Sequence, residues 1–298
     1  MKVLLINPPQ TFYPGSDAPA GNLPLGLMYI AAVLEKAGSS VEILDAFTND
    51  VAVRRIGDTS EIGMPYGRIT EEVRRRKPDV VGIANPFTCQ VEHSIRVASI
   101  VKELDPDVLT VVGGPHVSAV PEEFLSGAEN VDIGVAGEGE YAMLDIVKMY
   151  EGQKKIEEIQ GIVYRKGGKV MQTPPRPLIK NLDELPYPAY HLVDMEHYLS
   201  PEKIEYRSFK DRSVSMITSR GCPFNCVFCS VHLHMGKAFR SHSVDYVVNH
   251  IEHVVNKYRV ETIFFEDDNL TFDLKRSKQY AIDCLREKSG SSGKRRTA

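Results

Sequence analysis

Met1-Lys2-Val3-Leu4-Leu5-Ile6-Asn7-Pro8-Pro9 opens the chain, and the fold class turns on how this stretch is taken. A basic residue before a short apolar run also begins secretory leaders. This run ends at Asn7-Pro8-Pro9 with no small-residue cleavage site, so it reads as a buried strand. Similar runs return at Val41–Asp45, Val80–Ala84, Leu109–Gly113 and Val131–Ala136. Each is nearly continuous in apolar residues, the pattern of a strand covered on both faces. Helical patterns separate them at Leu25–Ala37, Thr70–Arg76, Val91–Leu104 and Tyr141–Tyr150, the first followed by Gly38 as a C-cap. This alternation predicts an α/β fold, with a doubly wound, flavodoxin- or Rossmann-like parallel sheet over residues 1–150.

Beyond it, Gly161-Ile162-Val163-Tyr164-Arg165 and Val170-Met171-Gln172 flank Gly167-Gly168 and predict a hairpin. Pro174, Pro175, Pro177, Pro186 and Pro188 follow, so residues 151–210 read as a hairpin and Pro-rich connector. Residues 211–288 hold a strand (Val214–Thr218), a helix (Val244–Tyr258), a strand (Thr262–Glu266) and a helix (Leu274–Lys288). Two βα units suggest the start of a β/α barrel, whose complete form runs to about 250 residues. Residues 289–298 have linker-like composition.

With 42% hydrophobic and 26% charged residues over 298 positions, the composition is that of a globular protein of about two domains. A net charge of -4 advertises no nucleic-acid partner. The longest apolar stretch, around Leu25–Leu34, is too short to span a bilayer, and the cytoplasm is the expected location. Cys89 and Cys284 stand alone, while Cys222, Cys226 and Cys229 crowd one segment. Thiols that close together suggest metal ligation rather than a disulfide framework.

Those three lie in Gly221-Cys222-Pro223-Phe224-Asn225-Cys226-Val227-Phe228-Cys229, directly after a strand. Such spacing lets one loop cover three corners of an iron–sulfur cubane and leaves one iron open to a substrate. The blander alternative is a Cys3His zinc module using His232 or His234. The segment, with an aromatic residue before its last Cys, resembles the radical S-adenosylmethionine (SAM) superfamily motif. The resemblance implies a [4Fe–4S] cluster on the three cysteines that binds SAM and cleaves it reductively to a 5′-deoxyadenosyl radical. It also implies adenine contact at the backbone of Phe228. An acid among Glu266, Asp267 and Asp268 would hold the SAM ammonium, with Asp267 or Asp268 preferred.

Ligands of doubly wound sheets sit beyond the carboxyl ends of the strands. Two of those ends carry Gly113-Gly114-Pro115-His116 and Gly137-Glu138-Gly139-Glu140, where glycines permit close approach of a large flat ligand or merely make tight turns. Gly137-x-Gly139-x-x-Ala142 loosely fits a dinucleotide fingerprint, but it follows the fifth strand, not the first, and its acids would repel a pyrophosphate. Together with Leu5-x-Asn7-Pro8-Pro9 and Pro24-Leu25-Gly26-Leu27, these loops resemble the cobalamin-binding domain that precedes the barrel in one radical SAM subgroup. That likeness implies cobalamin against Gly113, Gly114, Gly137, Glu138 and Gly139, approached by His116. The chain lacks the Asp-x-His-x-x-Gly loop that ligates cobalt elsewhere, which implies base-off binding without that ligand. Cys89 is the sole cysteine ahead of the connector, which disfavours the related methylthiotransferases, whose N-terminal domain carries its own cluster.

The implied activity is radical methylation of an unactivated carbon, or a cyclisation, on a small-molecule substrate. Reduced flavodoxin or ferredoxin would donate the electron. The short barrel raises a rival expectation: a non-catalytic corrinoid-binding fragment, poorly stable after the connector.

Overall fold

The computed structural model describes residues 1–13, 22–47, 51–199 and 212–293, with side chains described as far as Asp283. Its main sheet runs in the spatial order Lys169–Gln172, Ile162–Lys166, Ile133–Val135, Leu109–Gly113, Val80–Ala84, Lys2–Asn7, Ser40–Asp45. The last five are parallel in the doubly wound order expected. Strand Lys2–Asn7 pairs with Ser40–Asp45 on one side and Val80–Ala84 on the other, so the winding reverses beside it.

Both sheet faces are covered, as the unbroken apolar runs require. Val3 and Leu5 enter one core with helix Leu25–Lys36 and helix Gly139–Tyr150. Leu4 and Ile6 enter the opposite core with Ile69, Val73, Val97 and Val101 from helices Tyr66–Arg76 and Val91–Leu104. All four strand residues are fully buried, each worth about 1.5–3 kcal/mol. Helix Leu25–Lys36 is buried around most of its circumference, because Tyr29 and Val33 pack against Ile179, Leu182 and Leu185.

The hairpin departs from expectation. Strands Ile162–Lys166 and Lys169–Gln172 do form it, with positive φ at Gly167 and Gly168. However, Ile162–Lys166 pairs antiparallel with Ile133–Val135 and extends the main sheet. Ile162 and Val163 are buried, and burying them is what draws a supposed connector into the sheet. The rest of that segment is also docked, since Tyr190, Met195 and Leu199 share the core of Val3 and Leu5. A separate three-stranded sheet (Gln10–Phe12, Ala52–Ile56, Thr59–Gly63) and two short helices (Pro115–Ala119, Pro121–Gly127) carry no clear periodicity.

In the C-terminal part, Ser213–Met216 pairs in parallel with Thr262–Phe265, and helix Val244–Tyr258 crosses between them. Val214, Met216, Val254 and Val260 join the core of the first sheet. This segment is therefore packed onto the N-terminal layer, against the expectation of a loosely held fragment. The last helix spans Leu274–Gly293, five residues into the stretch read as linker, while residues 294–298 lie outside the described ones. Among the described residues no helix is long and apolar enough to cross a membrane.

Candidate functional site

A cavity of about 370 Å³ opens at the carboxyl ends of strands Lys2–Asn7, Val80–Ala84, Leu109–Gly113 and Ile133–Val135, within the roughly 300–1,000 Å³ of ligand sites. Leu5, Ile30, Val111 and Met143 make its walls apolar, and Gly113, Gly114, Gly137 and Gly139 all line it. At two of these the glycine answers a packing demand. A Cβ on Gly114 (φ +137°) would lie 2.3 Å from the carbonyl oxygen of Asn85, and one on Gly139 would lie 2.9 Å from Ile30 Cδ1. At Gly137 a positive φ of +90° is the constraint, and a Cβ would meet nothing within 4 Å.

Asn85, absent from the expected set, also lines the cavity. It is fully buried, and its Nδ2 donates to Ser94 Oγ at 3.2 Å while Oδ1 has no partner among the described residues. A buried acceptor left unpaired costs about 1–3 kcal/mol, so this wall suits a ligand bearing N–H groups.

His116 is not on the wall. Its Nδ1 is 3.1 Å from Thr88 Oγ1 and its ring packs edge-on to Phe124, with burial lowering its pKa. It sits in the first turn of the short helix Pro115–Ala119, off the cavity wall, which corrects the expectation that it approaches the ligand. Glu138 lines the cavity, but its carboxylate is committed elsewhere. Oε1 accepts from Arg220 at 2.9 Å and Arg240 at 2.8 Å, and Oε2 accepts from the Ile179 N–H at 2.7 Å.

The segments on either side of the cysteine loop form the far side of the same cavity, through Ile217 and Arg220 before it and His234 and Met235 after it. A two-residue antiparallel ladder, Ser219–Arg220 with Arg240–Ser241, closes its neck. Gly221 is required there, because at φ +81° its Cβ would stand 2.5 Å from the Ala238 carbonyl oxygen. Cys222, Cys226 and Cys229 are all free thiols, with Cys226 exposed and the others half-exposed. Among the described residues, no three His, Cys, Asp or Glu side chains stand close enough together to hold a metal ion. Neither the cysteine trio nor a Cys3His set is thus gathered among the described residues. His232 is exposed, whereas His234 lines the cavity with a buried Nδ1 that has no hydrogen-bond partner among the described residues, and burial lowers its pKa. Phe228 is 90% exposed and away from the cavity wall.

The three candidate acids separate by role. Asp267 is engaged by the strand that leads into the loop: it accepts from the Thr218 N–H and Oγ1 (2.8 Å) and from Ser219 Oγ. Glu266 accepts from Ser215 Oγ at 2.9 Å. Asp268 reaches the loop itself, taking the Gly221 N–H, and partial burial raises its pKa against the opposing effect of His234. Of the two preferred acids, Asp268 is the one whose carboxylate faces the cysteine loop.

Arg220 and Arg240 also stand outside the expected set. The sequence holds one clue, since Arg220 immediately precedes Gly221-Cys222, but its partners Glu138 and Glu140 lie some eighty positions away.

The B12 binding domain model matches residues 19–147, and the Radical SAM superfamily model matches residues 216–297. An uncharacterized methyltransferase of Pyrococcus horikoshii is 34% identical over 96% of this chain and 58% of its own length. Cytidylyl-2-hydroxyethylphosphonate methyltransferase of Streptomyces wedmorensis is 33% identical over 93% of this chain and 57% of its own. In fold, the chain matches TsrM, a radical SAM methyltransferase from Kitasatospora setae solved with cobalamin and a [4Fe–4S] cluster. The TM-score is 0.70 at 18% identity, covering 97% of this chain and 51% of that one. The chain thus spans a little over half the length of the curated relatives it matches. A B12 binding domain thus stands ahead of a radical SAM domain, the arrangement of the cobalamin-binding radical SAM family.

Proposed function

We propose that this chain is the cofactor-holding part of a cobalamin-dependent radical SAM methyltransferase acting on an unactivated carbon of a small molecule. The observation that carries the reading is the shared wall: one cavity is bounded by the glycine loops of the sheet and by the residues that flank the cysteine loop. The residues fit both groups. Asn85 Oδ1 is a buried acceptor lacking a donor, and the corrin periphery is rich in primary-amide N–H groups. Three free thiols on one short loop are the donor set of a [4Fe–4S] cluster with one open iron.

In this reading Cys222, Cys226 and Cys229 hold the cluster, Asp268 receives the SAM ammonium, and the backbone at Phe228 meets adenine. Gly113, Gly114, Gly137 and Gly139 present backbone to the corrin, while the apolar wall excludes water. When bound, cluster, SAM and cobalamin supply the electron, the hydrogen-abstracting radical and the methyl group. Reduced flavodoxin or ferredoxin in the cytoplasm would supply the electron to the cluster. Methyl transfer is preferred to cyclisation because the relatives at 34% and 33% identity are methyltransferases.

The test is anaerobic reconstitution of the chain with iron, sulfide and hydroxocobalamin, then incubation with SAM and dithionite. The expected result is about four irons and one corrinoid per chain, with 5′-deoxyadenosine formed by the native chain and not by Cys226→Ala. A colourless protein holding zinc and no iron would overturn the reading in favour of a zinc module.

A further inference from the structure

Between the two candidate sites lies a buried group of four charges. Arg220 and Arg240 stand directly opposite each other on the ladder that closes the cysteine loop, their side chains only 6% and 8% exposed. Like charges across a ladder repel, and so far from water nothing screens them. Glu138 lies between the two guanidiniums, 2.9 Å from Arg220 and 2.8 Å from Arg240. Glu140 takes the other nitrogen of Arg220 at 2.6 Å. Two cations and two anions cancel, so the neck closes without net charge only while both acids are in place. Those acids belong to Gly137–Glu140, the glycine loop and first turn of helix Gly139–Tyr150, every residue of which lines the cavity.

Buried ion pairs of this kind are a poor source of stability, yet removing one partner is costly because it strands the other. They are better suited to fixing register. We propose that the quartet is a positioning device tying the neck of the cysteine loop to the glycine loop of the cavity, so that a corrinoid in the cavity and a cluster on the thiols each favour binding of the other. The proposal rests on the assignment of corrinoid and cluster to these two sites. A ligand packed against Gly137–Glu140 restricts both carboxylates; they restrict the arginines, and the arginines hold the two ends of the loop together. Ordering the loop then costs the cluster less. Linkage makes the benefit equal in the other direction.

The test is the Kd of hydroxocobalamin, read by absorbance titration on the full chain, before and after anaerobic reconstitution with iron and sulfide. In the native chain the cluster should tighten binding about fivefold or more. In Glu138→Gln, where two arginines face one carboxylate, the ratio should fall to about one and less iron should be retained. Adding Arg240→Met to that variant restores one cation to one anion but not the tie, so the thermal midpoint should recover while the ratio stays near one. If Glu138→Gln gives no cooperative thermal transition, Glu140→Gln disturbs Arg220 alone and should show a partial fall. A native ratio of one, or a ratio unchanged in whichever of the two variants folds, overturns the proposal. Independent tight binding of both groups defeats only the coupling, whereas a native chain that takes up neither iron nor corrinoid defeats the functional reading beneath it.

Discussion

Asn85 and the three cysteines show how differently single residues can be read. The cysteines declare themselves, because ligand chemistry needs a fixed spacing within one loop and spacing is visible along the chain. Asn85 does not, since its significance comes from complete burial, a committed Nδ2 and an Oδ1 without a partner on a cavity wall. Glu138 stays silent for a related reason: its partners Arg220 and Arg240 are distant in sequence, so a carboxylate on a glycine loop looks available to a ligand. Asn85→Ala deletes the unpaired acceptor together with the hydrogen bonds from Nδ2 to Ser94 and to the Phe87 carbonyl oxygen, effects of opposite sign. The empty protein should therefore keep its stability to within about 1 kcal/mol. A bound corrinoid loses an acceptor, and hydroxocobalamin affinity should fall about tenfold, roughly 1.4 kcal/mol. Absorbance titration and urea denaturation of the same variant separate the two effects, and unchanged affinity would remove Asn85 from the site.

Among the elements, strands buried on both faces are legible to within a residue or so: Val80–Ala84 and Leu109–Gly113 match their expected limits, as does helix Val91–Leu104, whose buried stripe is broad. Elements with one wet face are harder. Helix Tyr66–Arg76 buries only Ile69 and Val73, so its first turn carries little apolar signal, and it starts four residues earlier than the pattern suggests. Strand Ala52–Ile56 is exposed throughout and escapes the sequence pattern, because nothing in it alternates. The hairpin strand Ile162–Lys166 is visible in the sequence, but its place in the sheet is not, because pairing partners are set by tertiary burial. Helix Tyr66–Arg76 also ends awkwardly, on Lys77 at φ 47°, a left-handed conformation that favours glycine. The side chain of Lys77 is exposed and its N–H bonds to the Val73 carbonyl oxygen, which glycine would preserve. Lys77→Gly should therefore stabilise the chain by about 1 kcal/mol, raising the thermal midpoint by about 2–4 °C. A calorimetric scan showing a lowered midpoint would mean that the left-handed turn carries no strain.

At the scale of the whole molecule, the connector and the C-terminal units share a core with the first sheet, and their seam is rich in histidine and tyrosine. His250 Nε2 lies 2.9 Å from the buried Tyr190 hydroxyl, and its ring stacks on Tyr187 at 4.4 Å. His242 stacks on Tyr246 at 3.9 Å, and its Nδ1 lies 3.1 Å from Asp183 of the connector. Burial pushes His242 down to about 4, outweighing the Asp183 carboxylate, and pushes His250 down to about 3. Both rings are thus neutral in the folded chain near neutrality, with His242 donating to Asp183. In the unfolded chain they titrate near 6.5. Between that value and their folded pKa values the unfolded state binds more protons, so stability falls as pH drops from 6.5 toward 4 for His242 and toward 3 for His250. Above about pH 7 neither ring contributes a slope. The loss should amount to several kcal/mol by pH 4.5, since each titrating group adds about 1.4 kcal/mol per pH unit. It should be felt first at the seam, where acid frees the connector from helix Val244–Tyr258. Urea denaturation at pH 7.5, 6.0 and 5.0 measures the slope. His250→Phe keeps the stacked ring without a titrating nitrogen, so it should be less stable than the native chain at pH 7.5, where the Tyr190 hydroxyl loses its partner. By pH 5.0 that gap should narrow, and equal slopes in the two proteins would place the acid sensitivity elsewhere.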